Sequence, residues 1–250
     1  MWHRVLPVLR TRGVQALVVK RSESSMTAPH TDARKTAESD VAQVLAEQGT
    51  AVVVGYGLGA STALAMAASA PHRVRALVLI APAAGLQPIG IADRLLAAPV
   101  AGPVVACIGF RLVALALQVP ALRRRILVTR GGLCASNAEH AVHHLASRST
   151  WRTFLSAQRR LVSDHQRRYD QLGRIACPIV IVDGAYDRAV TRRIGATVRR
   201  LLPGAELVSS SAAGHLIPLD DPDSVADAIL RALRREYRNS LGGMDVSART

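Results

Sequence analysis

Four short runs of uninterrupted apolar residues constrain this chain more than any other feature: Ala16–Val19 (ALVV), Ala51–Val54 (AVVV), Ala76–Ile80 (ALVLI) and Pro178–Val182 (PIVIV). They do not alternate polar with apolar, so each reads as a strand buried on both faces, the habit of parallel sheets covered by helices. A fifth, weaker run is Ala205–Val208. Between the first two runs, Thr36–Gln48 sets Val41, Val44 and Leu45 at helical spacing and stops at Gly49, which completes a βαβ unit. From Ala83 to about Asp170 the strand signal disappears and helical text with Pro and Gly breaks replaces it. The chain is therefore expected to be an α/β protein with a mostly parallel sheet flanked by helices and a helical lid insertion. The expected divisions are core residues 1–84, a lid or cap at 85–170, core again at 171–238, and a tail at 239–250.

Composition narrows the function classes. At 250 residues, 49% hydrophobic and 20% charged, the chain has the balance of a globular protein rather than a disordered or disulfide-stapled one. Aromatics are only 3%, too few for the stacking platforms that grip single-stranded nucleic acid. The net charge of +14 raises anionic partners. All but two of the 32 basic residues are arginine, however, the codon habit of a GC-rich genome, and the Arg123–Arg125 run and the Arg doublets are scattered over different elements. Solvated helix faces explain them, and no specific nucleic-acid partner is expected. Cys107, Cys134 and Cys177 lack paired spacing, which points to reduced thiols in the cytoplasm and to no metal site. No secretory leader is read at Met1–Arg4. The uncharged stretch Leu95–Phe110 is broken by Pro99, Gly102 and Pro103 and is shorter than the ~20 apolar residues of a spanning helix. It is expected to be buried or pocket-lining, with lid contact to a membrane the lesser alternative.

The chemistry-bearing stretch is Val52–Ser61 (VVVGYGLGAS), where a strand runs through small residues into the helical run Ala60–Ala70. A dinucleotide cradle is a poor reading, because the third glycine of G-x-G-x-x-G is misplaced and no ribose-binding acid follows at the end of a second strand. The strand–turn–helix context is that of a nucleophile elbow, and the text resembles the α/β-hydrolase family, whose elbow reads G-x-S-x-G. The likeness continues through Ala60–Ala83. Pro178–Asp187 (PIVIVDGAYD) resembles the strand and turn presenting the family's acid, and Gly214–His215 resembles its histidine loop, followed by a last helix at Ser224–Leu233. The resemblance covers about 200 residues and implies Asp187 as acid, His215 as base, Gly55, Tyr56 and Gly59 as the elbow, and the Leu58 amide as an oxyanion donor.

The departures matter as much. Gly57 stands at the nucleophile position, and Ser61, one turn along the helix, should point away from the tip. Trp2–Arg12 resembles the family's first helix and Gly13–Lys20 its fourth strand, so the fold is N-terminally shortened, the strands before these lying upstream of Met1 or being absent. Ala16–Val19 is then expected to pair directly with Ala51–Val54. Arg21–Ser25 (RSESS) replaces the usual Gly-x-Gly turn, and half of the oxyanion hole is missing. The resemblance thus implies an ester or acyl hydrolase lineage with an apolar pocket for a small ester- or lipid-like molecule, no cofactor, and a weakened or lost hydrolytic step. Two alternatives stand beside it: a cofactor-free enzyme using His215–Asp187 as general base, and a non-catalytic ligand-binding protein or an anion or nucleic-acid binder marked by steep salt dependence.

Overall fold

The computed structural model describes residues 1–19, 41–82, 89–125, 148–163, 165–187, 197 and 200–247. Arg21–Ser25, Cys134, the first residues of the Thr36–Gln48 helix and the 126–147 part of the insertion lie outside them. Among the described residues, four strands form one sheet in the order β1-β2-β3-β4: β1 Ala51–Tyr56, β2 Val74–Ile80, β3 Ile179–Gly184 and β4 Glu206–Ser210. Every neighbouring pair is parallel, with Val54 opposite Val78, Val78 opposite Val180 and Val180 opposite Glu206. The uninterrupted apolar runs have the cause expected of them, since β2 and β3 are buried on both faces.

One face carries α2 (Gly59–Ser69) and helical residues 41–48. There Leu77, Leu79 and Ile181 pack with Ala63, Leu64 and Leu45. The other face carries α1 (Trp2–Thr11) and a long final helix, Pro222–Ser247, where Val78, Ile80 and Val180 pack with Val5, Val225 and Ile229. Arg12 at the end of α1 ties the two helices together through Asp223, at 2.7 Å, and Asp227. Between β2 and β3 lie α3 (Ile91–Ala97), α4 (Ala101–Gln118), α5 (Pro120–Arg123), α6 (Arg148–Ser163) and α7 (His165–Leu172). A one-turn α8 (Ile217–Asp220) precedes the final helix, α9.

Two expectations need correction. Ala16–Val19 is not a strand, and among the described residues it has no ladder partner and β1 is the edge of the sheet. The segment is tethered at Val14, which packs into the α1–α9 cluster, and it borders a cavity of about 890 Å³ whose opposite wall is Ala51–Val54. The second correction concerns Leu95–Val119. It is helical and broken at residues 98–100, as the prolines suggest, but only Gly102, Ala106 and Leu117 of α4 are buried. Val104, Ile108, Leu112 and Leu115, three or four residues apart, form an exposed apolar stripe; among the described residues α3, α5 and α6 pack against this helix. By length and composition α4 passes for a membrane-crossing helix.

Asp221 joins β4 to α9. It accepts from the Ser224 amide at 3.0 Å, capping the helix, and from the hydroxyls of Ser210 at 2.6 Å and Ser224. Burial pushes its carboxyl up, but these hydrogen bonds outweigh burial and hold it below the ordinary carboxylate value. Asp221→Ala is expected to cost about 1–2 kcal/mol at pH 7, the usual worth of a cap. Because the folded value is depressed, the contribution is present above the ordinary carboxylate value and is lost as pH falls through the folded one. Urea titrations of both proteins should therefore converge below about pH 4.

Candidate active site

Parallel strands all end at one edge of the sheet, so the turns after β1, β2 and β3 and the loop after β4 gather there. At the end of β1 the ladder runs into the turn, with the Gly57 amide donating to Ile80 O at 2.9 Å. Gly57 has φ +54°, the left-handed conformation that reverses the chain into α2. A Cβ built on it meets nothing within 4 Å, so the turn has open space where the resemblance would set a nucleophile. Gly55 is glycine for a different reason. A Cβ there would stand 2.7 Å from Ala60 Cα and from Gly59 O, so strand and helix cross at near backbone contact. Leu58 precedes α2, and its amide, like that of Gly59, lies before any helical carbonyl that could accept it. The Ser61 hydroxyl donates back to Leu58 O at 2.8 Å, so it is engaged by the backbone three residues before it.

Asp187 and His215 meet at the same edge. Asp187 follows β3 and its side chain is fully buried; His215 follows β4 and is 31% exposed. His215 Nδ1 lies 2.8 Å from Asp187 Oδ2. A carboxylate there fixes the tautomer, Nδ1–H donating to Asp187, which leaves Nε2 as a basic nitrogen at a partly open surface. Tyr56 links this pair to the elbow. Its hydroxyl donates to His215 O at 3.2 Å, and its ring lies 5.9 Å, centroid to centroid, from the imidazole. Burial and the nearby charges of Asp187 and Asp220 push the Tyr56 phenol up, so it stays a donor across the working pH range. The structure therefore brings together Gly57, Leu58, Tyr56, Asp187 and His215.

Sequence reasoning had not singled out Gly184 as a site residue. A Cβ there would stand 2.2 Å from Gly214 O and 2.7 Å from Ala213 O, so the end of β3 touches the backbone of the histidine loop. The loop is held by the amides of Ala185 and Tyr186, which donate to Ser210 O and Ala213 O. The signal was present in the G-x-x-D text, but the steric need for glycine comes from a loop some thirty residues on. Among the described residues, no group of His, Cys, Asp and Glu could hold a metal ion.

Comparison with known proteins follows the same lines. A family model described as "Alpha/beta hydrolase family" matches residues 1–228. No curated protein matches the chain. Among solved structures, a membrane phospholipase A described as a novel bacterial virulence factor is similar at TM-score 0.62 and 19% identity, over 94% of this chain and 75% of that one. Cfl2 from Burkholderia cenocepacia is similar at 0.62 and 14%, over 92% and 82%. The esterase EaEST from Exiguobacterium antarcticum is similar at 0.59 and 17%, over 80% and 74%. These identities speak for the fold alone.

Gly184→Ala is expected to push the histidine loop away and break the His215–Asp187 hydrogen bond. A low-field Nδ1–H resonance of His215 is expected in the NMR spectrum of the parent and should disappear in the variant. Overpacking of this kind should also cost about 1–3 kcal/mol of stability.

Proposed function

Because this chain belongs to the alpha/beta hydrolase family, we propose that it comes from a lineage of enzymes cleaving esters or acyl groups and has lost the covalent step at Gly57 while keeping the His215–Asp187 base. The observation that carries this reading is the 2.8 Å contact between Nδ1 and a fully buried carboxylate, beside an elbow whose tip has space but no side chain. In this reading Asp187 holds the imidazole, Nε2 takes a proton, and the Leu58 amide faces developing negative charge on a carbonyl oxygen. Helices α3 to α7 act as a lid, and the ligand is a small apolar ester or lipid-like molecule. The ester- and phospholipid-cleaving activities named for the similar structures support that class.

Losing a triad nucleophile costs about a million-fold in rate, about 8 kcal/mol. The parent protein is thus expected to show almost no ester hydrolysis. A second reading follows from the same base: with the pair intact, His215 can withdraw a proton from an acidic C–H or O–H of a bound substrate with no cofactor.

Gly57→Ser tests the lost step. Space is available for the side chain, and the left-handed backbone should cost about 1–3 kcal/mol of stability. Hydrolysis of p-nitrophenyl acetate and butyrate should appear in this variant and disappear when His215→Ala is added. Ordinary turnover by the parent, about 1–1000 per second, dependent on His215, would overturn the reading.

A further inference from the structure

We propose that the site takes two substrates: an ester as acyl donor, and a primary alcohol whose hydroxymethyl end enters the space at Gly57 and attacks in place of the missing side chain. The activity is direct acyl transfer from ester to alcohol, with no covalent enzyme intermediate. It rests on the reading of His215–Asp187 as a surviving base and names what that base acts on. Serine differs from glycine by one hydroxymethyl group, so the space left at the elbow matches the end of a primary alcohol. Among the described residues nothing lies within 4 Å of a Cβ built at position 57. The turn has not collapsed around the smaller residue. Gly57 keeps φ +54°, its amide donates to Ile80 O, and the lack of a Cβ at Gly55 lets Ala60 approach the strand, so the elbow holds its shape without a side chain at its tip.

The two hydroxyls that flank the turn are already engaged. Ser61 donates to Leu58 O at 2.8 Å and Tyr56 to His215 O at 3.2 Å, and burial pushes the Tyr56 phenol up, away from the phenolate an attack would need. The base stays beside the turn. The imidazole lies 5.9 Å, centroid to centroid, from the ring of Tyr56, the residue before Gly57, and its Nδ1 is committed to Asp187 at 2.8 Å, so Nε2 is the nitrogen that takes a proton. In the step, the alcohol O–H gives its proton to Nε2 as its oxygen bonds to the carbonyl carbon, and the carbonyl electron pair moves onto the oxygen facing the Leu58 amide. Collapse breaks the bond to the leaving alkoxide, which takes the proton back from Nε2. One ester and one alcohol enter, and one ester and one alcohol leave. Water can bring an oxygen to the same point but not the carbon, so it forgoes the contacts that the hydroxymethyl carbon makes with the turn. A tethered serine acts at an effective concentration of about 10⁵ M or more, so free alcohol recovers only part of the lost rate.

The donor for the test is p-nitrophenyl butyrate, the acceptors are methanol and ethanol, and tert-butanol is the control whose branched carbon does not fit a hydroxymethyl space. With the parent protein, p-nitrophenol release should rise about tenfold or more with either primary alcohol and saturate below about 1 M. Gas chromatography should recover the methyl or ethyl ester rather than butyrate, and tert-butanol should give neither effect. Gly57→Ala sets a carbon where the carbon of the alcohol belongs and should abolish the alcohol-dependent rate, as should His215→Ala. Gly57→Ser carries the same backbone strain as Gly57→Ala, so ester hydrolysis by the serine variant shows that the turn tolerates a Cβ. The proposal is overturned by an absence of alkyl butyrate at about 1 M alcohol, by equal responses to the three alcohols, by butyrate as the main product, or by transfer that survives in Gly57→Ala or His215→Ala. If transfer is absent, an active Gly57→Ser leaves the lost covalent step standing, and an inactive one takes that reading down as well.

Discussion

Burial of a parallel sheet on both faces is the constraint from which the rest of the molecule follows. Strands such as β2 and β3 present apolar side chains in both directions, and two separate clusters of helices answer them. That requirement makes each strand return through a crossover, and the crossovers make all strands point one way. Every chemically interesting loop then falls at one edge without any loop having to be long. The turn at Gly57, the acid after β3 and the histidine after β4 are neighbours because the core is built as it is.

Within that frame, two glycines act in unlike ways. Gly184 admits the backbone of the histidine loop and Gly57 reverses the chain at an open tip. One is intolerant of any Cβ, while the other has space and only a conformational penalty. At the same edge Tyr56 donates to the backbone of His215, and the His215 ring is hydrogen-bonded to Asp187, so the turn after β1 and the loop after β4 are held together.

Much of this was legible in the residues. Three of the four uninterrupted apolar runs are strands of the sheet, the weak run at Ala205–Val208 overlaps β4, and Asp187 and His215 follow β3 and β4. What the text could not supply were properties set by partners far along the chain. ALVV has the composition of a strand, but pairing needs a neighbour at 4.8 Å or so, and α1 anchors Val14 elsewhere. Apolar α4 reads as buried or pocket-lining, but burial depends on what packs around it, and its Val104, Ile108, Leu112 and Leu115 are exposed. The demand for glycine at position 184 arises from Gly214, which no local window contains.

The helices between β2 and β3 enter after Ile80 and leave before Ile179, and those two strands are hydrogen-bonded neighbours. Closing a loop becomes harder only with the logarithm of its length, so doubling the excursion would cost the sheet about 0.6 kcal/mol. The core is therefore nearly indifferent to the length of what is threaded through that gap, apart from α7, whose Leu172 is part of the core. Insertions or deletions in α3 to α6 act on what the edge can receive and leave the ladder of β2 and β3 almost untouched, a freedom that the last helix of the segment does not share.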